Sequence, residues 1–150
     1  MFSGRLTQAT VRALDWLAER TLAERAGPLH QRTGRRGEED AYFYLRRRGY
    51  IMVARNYRSG HHRGEIDLIG WDGDVLCFIE VKTRTTREVK PAESAVDREK
   101  QRSLAAVAGE YLRHCPSPSC QWRFDVVTVY YLQGFRQPEF ELFQNAFSVA

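Results

Sequence analysis

The scarcest features of this 150-residue sequence are cysteine, lysine and long apolar runs. Its three cysteines, Cys77, Cys115 and Cys120, are too few and of the wrong parity for a disulfide scaffold, so we expect a reducing, cytoplasmic location. Arginine supplies 20 of the 23 basic residues. No run of about 18 apolar residues occurs, so we expect no membrane partner. Charges interrupt residues 4–26 throughout, which is untypical of a signal sequence.

The charge that is present is distributed unevenly. Residues 1–63 hold 13 arginines against six acidic residues, whereas residues 64–150 hold 10 basic and 13 acidic residues. Because the guanidinium group matches phosphate oxygens in a bidentate way, the first half is suited to binding a polyanion. The same residues are equally consistent with an ordinary solvated surface. The candidate nucleic-acid contacts are Arg63, Arg58 and Arg55 in this half of the chain and Arg84 beyond it.

Hydrophobic content of 43% and charged content of 28% indicate a folded chain of one domain with a short extension. We assign residues 1–33 to an N-terminal helix and basic linker and residues 34–150 to the domain. The spacing of apolar residues and of breakers predicts a mixed α/β fold around a small sheet. Its predicted elements are a helix from Gly37 or Glu38 to Arg48, a strand over 50–57, a hairpin of strands 64–71 and 74–84, a helix from Pro91 or Glu93 to His114, a strand over 122–132 and a strand within 138–150.

Two helix-end patterns support the first helix of the domain. Acidic residues 38–40 are predicted to lie in its first turn, where the helix dipole favours negative charge. Arginines 46–48 are predicted to lie in its last turn, and Gly49 is a suitable residue to end it. The preceding residues 27–37, which are basic and contain glycine, are predicted to be a linker.

The hairpin contains the most informative pattern. If Asp72 and Gly73 are its two loop residues, Trp71 pairs with Asp74, and Glu65 lies opposite Glu80. Because side chains alternate along a strand, the two faces then differ in character. One predicted face carries Glu65, Asp67, Phe78, Glu80 and Lys82, and the other carries Ile66, Leu68, Cys77, Ile79 and Val81.

Carboxylates that face each other across two strands destabilise a sheet. A divalent cation between Glu65, Asp67 and Glu80 removes that repulsion, and oxygen ligands suit Mg²⁺ or Mn²⁺. A solvated charged face is the competing interpretation, and the spacing alone leaves both open.

The hairpin residues Gly64-Glu65-Ile66-Asp67-Leu68-Ile69 and Glu80-Val81-Lys82-Thr83-Arg84 resemble the YraN family of endonuclease-like proteins. That family is placed in the restriction-endonuclease-like superfamily, whose motif is written PD-(D/E)xK. The likeness extends over roughly residues 34–147. Its other matching positions are Gly34, Gly37-Glu38, Ala41 and Leu45, residues 54–58, Lys100, Tyr111-Leu112, residues 123–127 and residues 145–147.

The resemblance implies a restriction-endonuclease-like core, a central mixed sheet flanked by helices. It also implies that Asp67 and Glu80 bind Mg²⁺ or Mn²⁺ together with the backbone carbonyl of Val81. Lys82 would orient or activate the attacking water. Glu38 matches a position from which related nucleases supply another carboxylate, and Glu65 shares the face as a further candidate ligand. The superfamily often places a phosphate-facing polar residue on the helix after this hairpin, which makes Lys100 a candidate nucleic-acid contact.

The resulting expectation is a metal-dependent endonuclease that hydrolyses phosphodiester bonds in DNA. Likeness to resolvase-like nucleases favours branched or structured DNA in repair or recombination. A homodimer fits such a substrate, and the N-terminal helix is a candidate for its interface. Two other interpretations remain, a non-catalytic nucleic-acid-binding protein of the same fold and a protein-assembly factor.

Overall fold

The computed structural model of the protein describes residues 29–87, 96–115 and 119–149. The helix predicted over 4–26 lies outside them. Residues Gly34–Ala150 form one compact unit. The described elements, in chain order, are helix α1 (Leu29–Arg47), strands β1 (Ile51–Tyr57), β2 (Ile66–Asp72) and β3 (Val75–Arg84), helix α2 (Arg98–Arg113), and strands β4 (Gln121–Tyr130) and β5 (Glu139–Phe147).

The five strands form one mixed sheet in the order β1-β2-β3-β4-β5. Neighbouring strands are antiparallel except β3 and β4, which run parallel. A parallel pair needs a crossover connection, and α2 lies in the segment between β3 and β4. The predicted mixed α/β class is therefore confirmed. Neither helix in the described ranges has the length and apolar character needed to cross a membrane.

A helix packs on each face of the sheet. Ala41 and Leu45 of α1 are fully buried with Leu68, Cys77, Ile79, Val127 and Val129. Leu104, Val107 and Ala108 of α2 are buried with Ile69, Leu76, Phe78, Phe124 and Val126. The sheet is thus sandwiched, and its central strands β3 and β4 are apolar on both sides, as expected for buried parallel strands.

The hairpin register differs from the predicted one. Asp72 pairs with Val75 and Leu68 with Ile79, so the loop residues are Gly73 and Asp74. Gly73 has a φ of 58°, and a two-residue loop readily takes glycine at its first position because glycine adopts positive φ without strain. Glu65 therefore does not lie opposite Glu80. The displacement is by two positions, so the paired residues of the two strands keep their predicted faces.

The predicted contrast between an apolar and a charged face is wrong in one respect. Phe78 and Glu80 lie on the face that α2 covers, and Glu80 is only 5% exposed. Ile66 also packs in the cluster on the α2 side, apart from Leu68. A solvated face is thus excluded for Glu80, because the second helix removes that side from water.

Helix α1 begins at Leu29, about two turns before the predicted start. Most of the predicted linker is therefore helical, and Glu38 and Asp40 lie in the middle of the helix rather than in its first turn. Each glycine in a helix costs roughly 1 kcal/mol relative to alanine, which is why Gly34 and Gly37 indicated a linker. Gly37 is instead used for contact, because a Cβ there would overlap the side chain of Thr83.

Helix α2 begins at Arg98, later than the predicted start near Pro91 or Glu93. Asp97 is extended, with φ −68° and ψ 166°, and its side chain accepts a hydrogen bond from the Lys100 amide at 2.8 Å. An aspartate in this position is a strong N-cap because it satisfies an amide that has no partner within the helix. Residues 91–95 lie outside the described ranges.

Candidate functional site

The paired hairpin strands bring Asp67 and Glu80 to neighbouring positions. Leu68 pairs with Ile79, and Asp67 directly precedes Leu68 while Glu80 directly follows Ile79. The Val81 amide donates a hydrogen bond to Asp67 Oδ2 at 2.8 Å. The N–H and C=O of a strand residue point towards the same neighbouring strand, so the Val81 carbonyl also faces the β2 side.

Two further carboxylates approach Asp67 from other elements. Glu38 comes from α1 and Glu65 from the residue before β2. One carboxylate oxygen from each of Glu38, Glu65 and Asp67 lies within 4.8 Å of the others. Among the described residues this is the only such group of three candidate metal ligands. Glu80 lies outside this group.

Asn56 connects the two outer carboxylates. Its Nδ2 donates to Glu38 at 3.0 Å and to Glu65 at 2.8 Å. Its φ is 47°, a left-handed conformation that asparagine tolerates better than most residues. Sequence reasoning missed this role, although Asn56 lay within a segment matched to the family. Nothing in the sequence shows that the end of β1 meets α1 and the residue before β2.

Glu80 is held by cations through one oxygen only. Lys82 Nζ donates to Glu80 Oε1 at 2.9 Å, and Lys100 Nζ lies 3.7 Å from the same oxygen. Glu80 Oε2 is buried and has no hydrogen-bond partner. A buried carboxylate oxygen without a partner is costly and native structures contain few. This oxygen therefore has the capacity to bind a ligand.

The charges at the site favour a cation. Burial and the neighbouring charge of Glu80 raise the pKa of Asp67 to about 8, although the Val81 amide opposes the change. Burial also raises the pKa of Glu38, with the Asn56 hydrogen bond acting against it and Glu65 acting with it. Several acidic oxygens and an unpartnered Glu80 oxygen fit a hard divalent ion such as Mg²⁺ or Mn²⁺.

The predicted nucleic-acid contacts lie in different surroundings. Lys100 points towards Glu80 and is 38% exposed, so it belongs to the site itself. Arg58 is exposed and pairs with Glu65 at 2.6 Å. Arg63 is exposed, and its carbonyl accepts a bond from Ser103 Oγ. Exposed Arg55 lies on β1, and half-buried Arg84 ends β3.

The loop between β1 and β2 is attached to α2 by a carboxylate that sequence reasoning also missed. Glu110, which is buried, accepts hydrogen bonds from Ser59 Oγ and lies 3.0 Å from His61 Nδ1. These contacts with Ser59 and His61 lower the pKa of Glu110 to about 2. Glu38, Glu65 and Asp67 are together called the acidic group below. The loop that carries Arg58 and Arg63 is thus anchored beside the acidic group.

Comparison with known families adds a second line of observation. A model described as "Uncharacterised protein family UPF0102" matches residues 37–129, which include Glu38, Glu65, Asp67, Glu80 and Lys82. The chain belongs to the UPF0102 family. The resemblance to the YraN group is thereby confirmed at the level of the family.

Several UPF0102 relatives are similar to this chain over most of their length. A UPF0102 protein of Koribacter versatilis is 51% identical over 141 residues, which is 94% of each chain. One of Solibacter usitatus is 46% identical and covers 76% of this chain and 84% of its own. One of Chlorobaculum tepidum is also 46% identical and covers 77% and 92%. The UPF0102 match thus extends over most of the chain.

Proposed function

We propose that this UPF0102 protein is a Mg²⁺- or Mn²⁺-dependent nuclease that hydrolyses phosphodiester bonds in DNA, with a restriction-endonuclease-like core. The observation that carries the proposal is the buried Glu80 carboxylate. One of its oxygens is held by Lys82 at 2.9 Å, and the other has no partner although it is buried. This arrangement beside Asp67 matches the acid-x-lysine motif of such nucleases.

The metal would be held by Asp67, Glu80 and the Val81 carbonyl, with Glu38 and Glu65 as further acidic groups. When bound, a divalent ion lowers the pKa of water and neutralises charge that develops on the phosphate. Two observations make these residues suitable for a divalent ion. Carboxylate oxygens of Glu38, Glu65 and Asp67 lie within 4.8 Å of one another, and Glu80 Oε2 is buried without a hydrogen-bond partner.

The protein's own groups supply position and charge for the reaction. Lys82 is 21% exposed, and its ammonium can contact a water or a phosphate oxygen while Glu80 holds it in place. Water attacks phosphorus in line with the leaving oxygen, the P–O bond breaks, and the leaving oxygen takes up a proton. Lys82 and Lys100 stabilise the negative charge that builds up during this displacement.

Arginines around the site support a nucleic-acid substrate. Arg55, Arg58 and Arg63 are exposed near the acidic group, and arginine is suited to phosphate. We propose DNA, and branched or structured DNA in particular, from the likeness of the motif to resolvase-like nucleases. Fold likeness alone does not determine a substrate, so a panel of DNA structures belongs in the test.

One observation favours a second candidate, a nucleic-acid-binding protein that does not cleave. Lys82 and Lys100 both lie near Glu80 Oε1 and neutralise its charge without a metal. Binding that depends on salt but not on metal is expected in that case.

A cleavage assay separates the two candidates. End-labelled single-stranded, duplex, flap and four-way-junction DNA is incubated with Mg²⁺, Mn²⁺ or EDTA. Wild-type protein is compared with Glu80→Gln, Lys82→Met and the control Glu99→Gln, which changes an exposed acid of α2. We expect metal-dependent cleavage that the first two variants reduce about 10²- to 10⁴-fold and the control retains.

Melting temperatures with and without Mg²⁺ provide a readout besides activity. Mg²⁺ is expected to stabilise the wild type and the Glu99→Gln control and not Glu80→Gln. Cleavage that persists in EDTA or in Glu80→Gln contradicts the proposal. DNA binding without any cleavage favours the second candidate.

A further inference from the structure

An open cavity of about 530 Å³ lies at the C-terminal ends of the parallel strands β3 and β4. Thr85 and Thr86 follow β3, and Tyr131 begins the connection from β4 to β5. The Tyr131 amide donates to the Arg84 carbonyl at 2.8 Å, which joins these two chain segments at the cavity. The described residues that line it include Arg36, Tyr131, Phe135 and Arg136.

The lining combines positive charge with aromatic rings. Arg36 and Arg136 are both exposed, and none of the described lining residues is acidic. Phe135 has 62% of its surface exposed, although burial of an aromatic side chain away from water is favourable. Positive charge and accessible aromatic faces together are typical of surfaces that bind single-stranded nucleic acid.

The backbone holds Phe135 in this exposed position. Its amide bonds to the Leu132 carbonyl at 3.3 Å, which closes a four-residue turn. Gly134, the third residue of that turn, has a φ of 87°, a value that glycine adopts without strain. The ring carried at the end of this turn is exposed and is not part of the core.

The Tyr131 ring is also held in place. The Arg36 guanidinium lies 4.8 Å from its centre, and the Tyr131 hydroxyl donates to Asp40. Arg36 lies 3.8 Å from Asp40 and is 60% exposed, so this ion pair is weak and leaves guanidinium donors available to an anion.

The cavity is within reach of the acidic group. Arg36 precedes Glu38 by two residues on α1, and Thr85, the first residue after β3, follows Lys82 by three residues. Three residues of extended chain span about 10 Å. Stacked nucleotides advance about 3.4 Å each along one strand, so this distance corresponds to roughly three nucleotides.

We propose that this cavity binds a single-stranded segment of the DNA substrate, a few nucleotides from the phosphate that is cleaved. Phe135 stacks on a base, and Arg36 and Arg136 bind the phosphates on either side of it. Bases inside a duplex are covered by their neighbours, so only an unpaired base offers its face to Phe135. The inference rests on the proposed nuclease and defines its substrate as duplex DNA with a single-stranded extension.

Fluorescence anisotropy in EDTA tests this inference without cleavage. The probes are a blunt DNA duplex and the same duplex with a single-stranded extension of ten nucleotides. Phe135→Ala is compared with Ile51→Ala, which removes another exposed large apolar side chain on β1. Arg136→Ala is compared with Arg113→Ala, a change at an exposed arginine at the end of α2.

We expect the wild type to bind the extended duplex more tightly than the blunt one. Phe135→Ala is expected to weaken binding of the extended duplex at least fivefold and to leave the blunt duplex unchanged. Arg136→Ala is expected to reduce the salt dependence of the logarithm of the affinity by about one unit. Both controls are expected to bind like the wild type.

Equal binding of the two probes by the wild type, or unchanged binding by Phe135→Ala, overturns the inference. Neither result concerns the carboxylates, so the nuclease proposal would stand if metal-dependent cleavage is observed. Conversely, normal stacking by Phe135 in a protein that never cleaves DNA would support the cavity and contradict the nuclease.

Discussion

At the scale of single residues, Asp67 and Glu80 are placed where they destabilise the protein in the absence of a ligand. Glu80 is buried and Asp67 is partly buried, and this burial together with the charge of Glu80 raises the pKa of Asp67 to about 8. Functional sites commonly retain such unfavourable arrangements at the expense of stability. We expect cation binding to offset this decrease in the free energy of unfolding.

Replacement of Asp67 by asparagine tests that relation. Asp67→Asn keeps the shape and an acceptor for the Val81 amide but removes the charge beside Glu80. In EDTA at pH 8 we expect the variant to melt about 2–4 °C above the wild type, which corresponds to about 1 kcal/mol. Differential scanning fluorimetry measures the difference.

The same variant is expected to lose most of the stabilisation that Mg²⁺ gives to the wild type. Asp74→Asn, in the exposed hairpin loop, is the matched control and is expected to change neither value. A lower melting temperature of Asp67→Asn in EDTA contradicts the interpretation, because it would make Asp67 a structural carboxylate.

At the scale of elements, the contact between α1 and β3 positions Glu38. Gly37 is buried against Thr83, one residue after Lys82, and its neighbour Glu38 reaches the acidic group. Gly34 lies one turn earlier in the same helix, and a Cβ there would meet nothing within 4 Å. Substitution by alanine is therefore expected to have opposite effects at these two glycines, and Gly34 serves as the matched control for Gly37.

Gly37→Ala is expected to displace α1 from β3, because the added methyl group overlaps the Thr83 side chain. We expect metal-dependent cleavage to fall at least tenfold, since Glu38 moves with the helix. Gly34→Ala is expected to keep full activity and to raise the free energy of unfolding by about 0.5–1 kcal/mol. Urea denaturation and the cleavage assay measure both effects.

Removal of the overlapping side chain serves as the check on Gly37→Ala. The double variant Gly37→Ala with Thr83→Ala is expected to recover part of the lost cleavage, because the helix can return to the sheet. Full activity of the single variant would show that the position of α1 does not control the site.

At the scale of the whole molecule, a polar network joins separate chain segments at the opposite end of β2 from Asp67, about 17 Å away. Arg123 bonds to Asp125 at 2.8 Å and to Asp72 at 2.7 Å, and Asp125 is fully buried. Tyr50 accepts from Arg123 at 3.1 Å and from Gln144 at 2.9 Å. The network therefore connects β4, the hairpin, the start of β1 and β5.

Arg123→Ala leaves the buried Asp125 charge without its cation. We expect a loss of about 3 kcal/mol in the free energy of unfolding, measured by urea denaturation. Cleavage measured well below the melting temperature is expected to persist, because the acidic group lies at the other end of β2. Arg113→Ala, at an exposed position, is expected to change stability by less than about 0.5 kcal/mol.

The double variant Arg123→Ala with Asp125→Ala provides the control for charge. It is expected to be less destabilised than the sum of the single changes, because it removes the buried charge as well as its partner. Strictly additive losses would contradict a direct interaction between the two residues.

The local patterns of the sequence were sufficient for the mixed α/β fold class. Because side chains alternate along a strand, the sequence predicted that Asp67 and Glu80 share one face of the hairpin. The observed register differs from the predicted one by two residues, and the shared face is unchanged because the period of a strand is two. Helical spacing identified α1 and α2. Because Gly34 and Gly37 indicated a linker, the predicted start of α1 lies about two turns after the observed start.

Long-range packing decided what those patterns could not. Glu80 is buried because α2 covers its face of the hairpin. In the sequence, the charged residues on this face were also consistent with a solvated surface. Asn56 joins Glu38 and Glu65, and Glu110 anchors a distant loop, through contacts between residues far apart in the chain. The cavity around Phe135 likewise requires α1, the end of β3 and the loop after β4 together. Periodicity reports which face a residue occupies, whereas only tertiary structure determines what lies against that face.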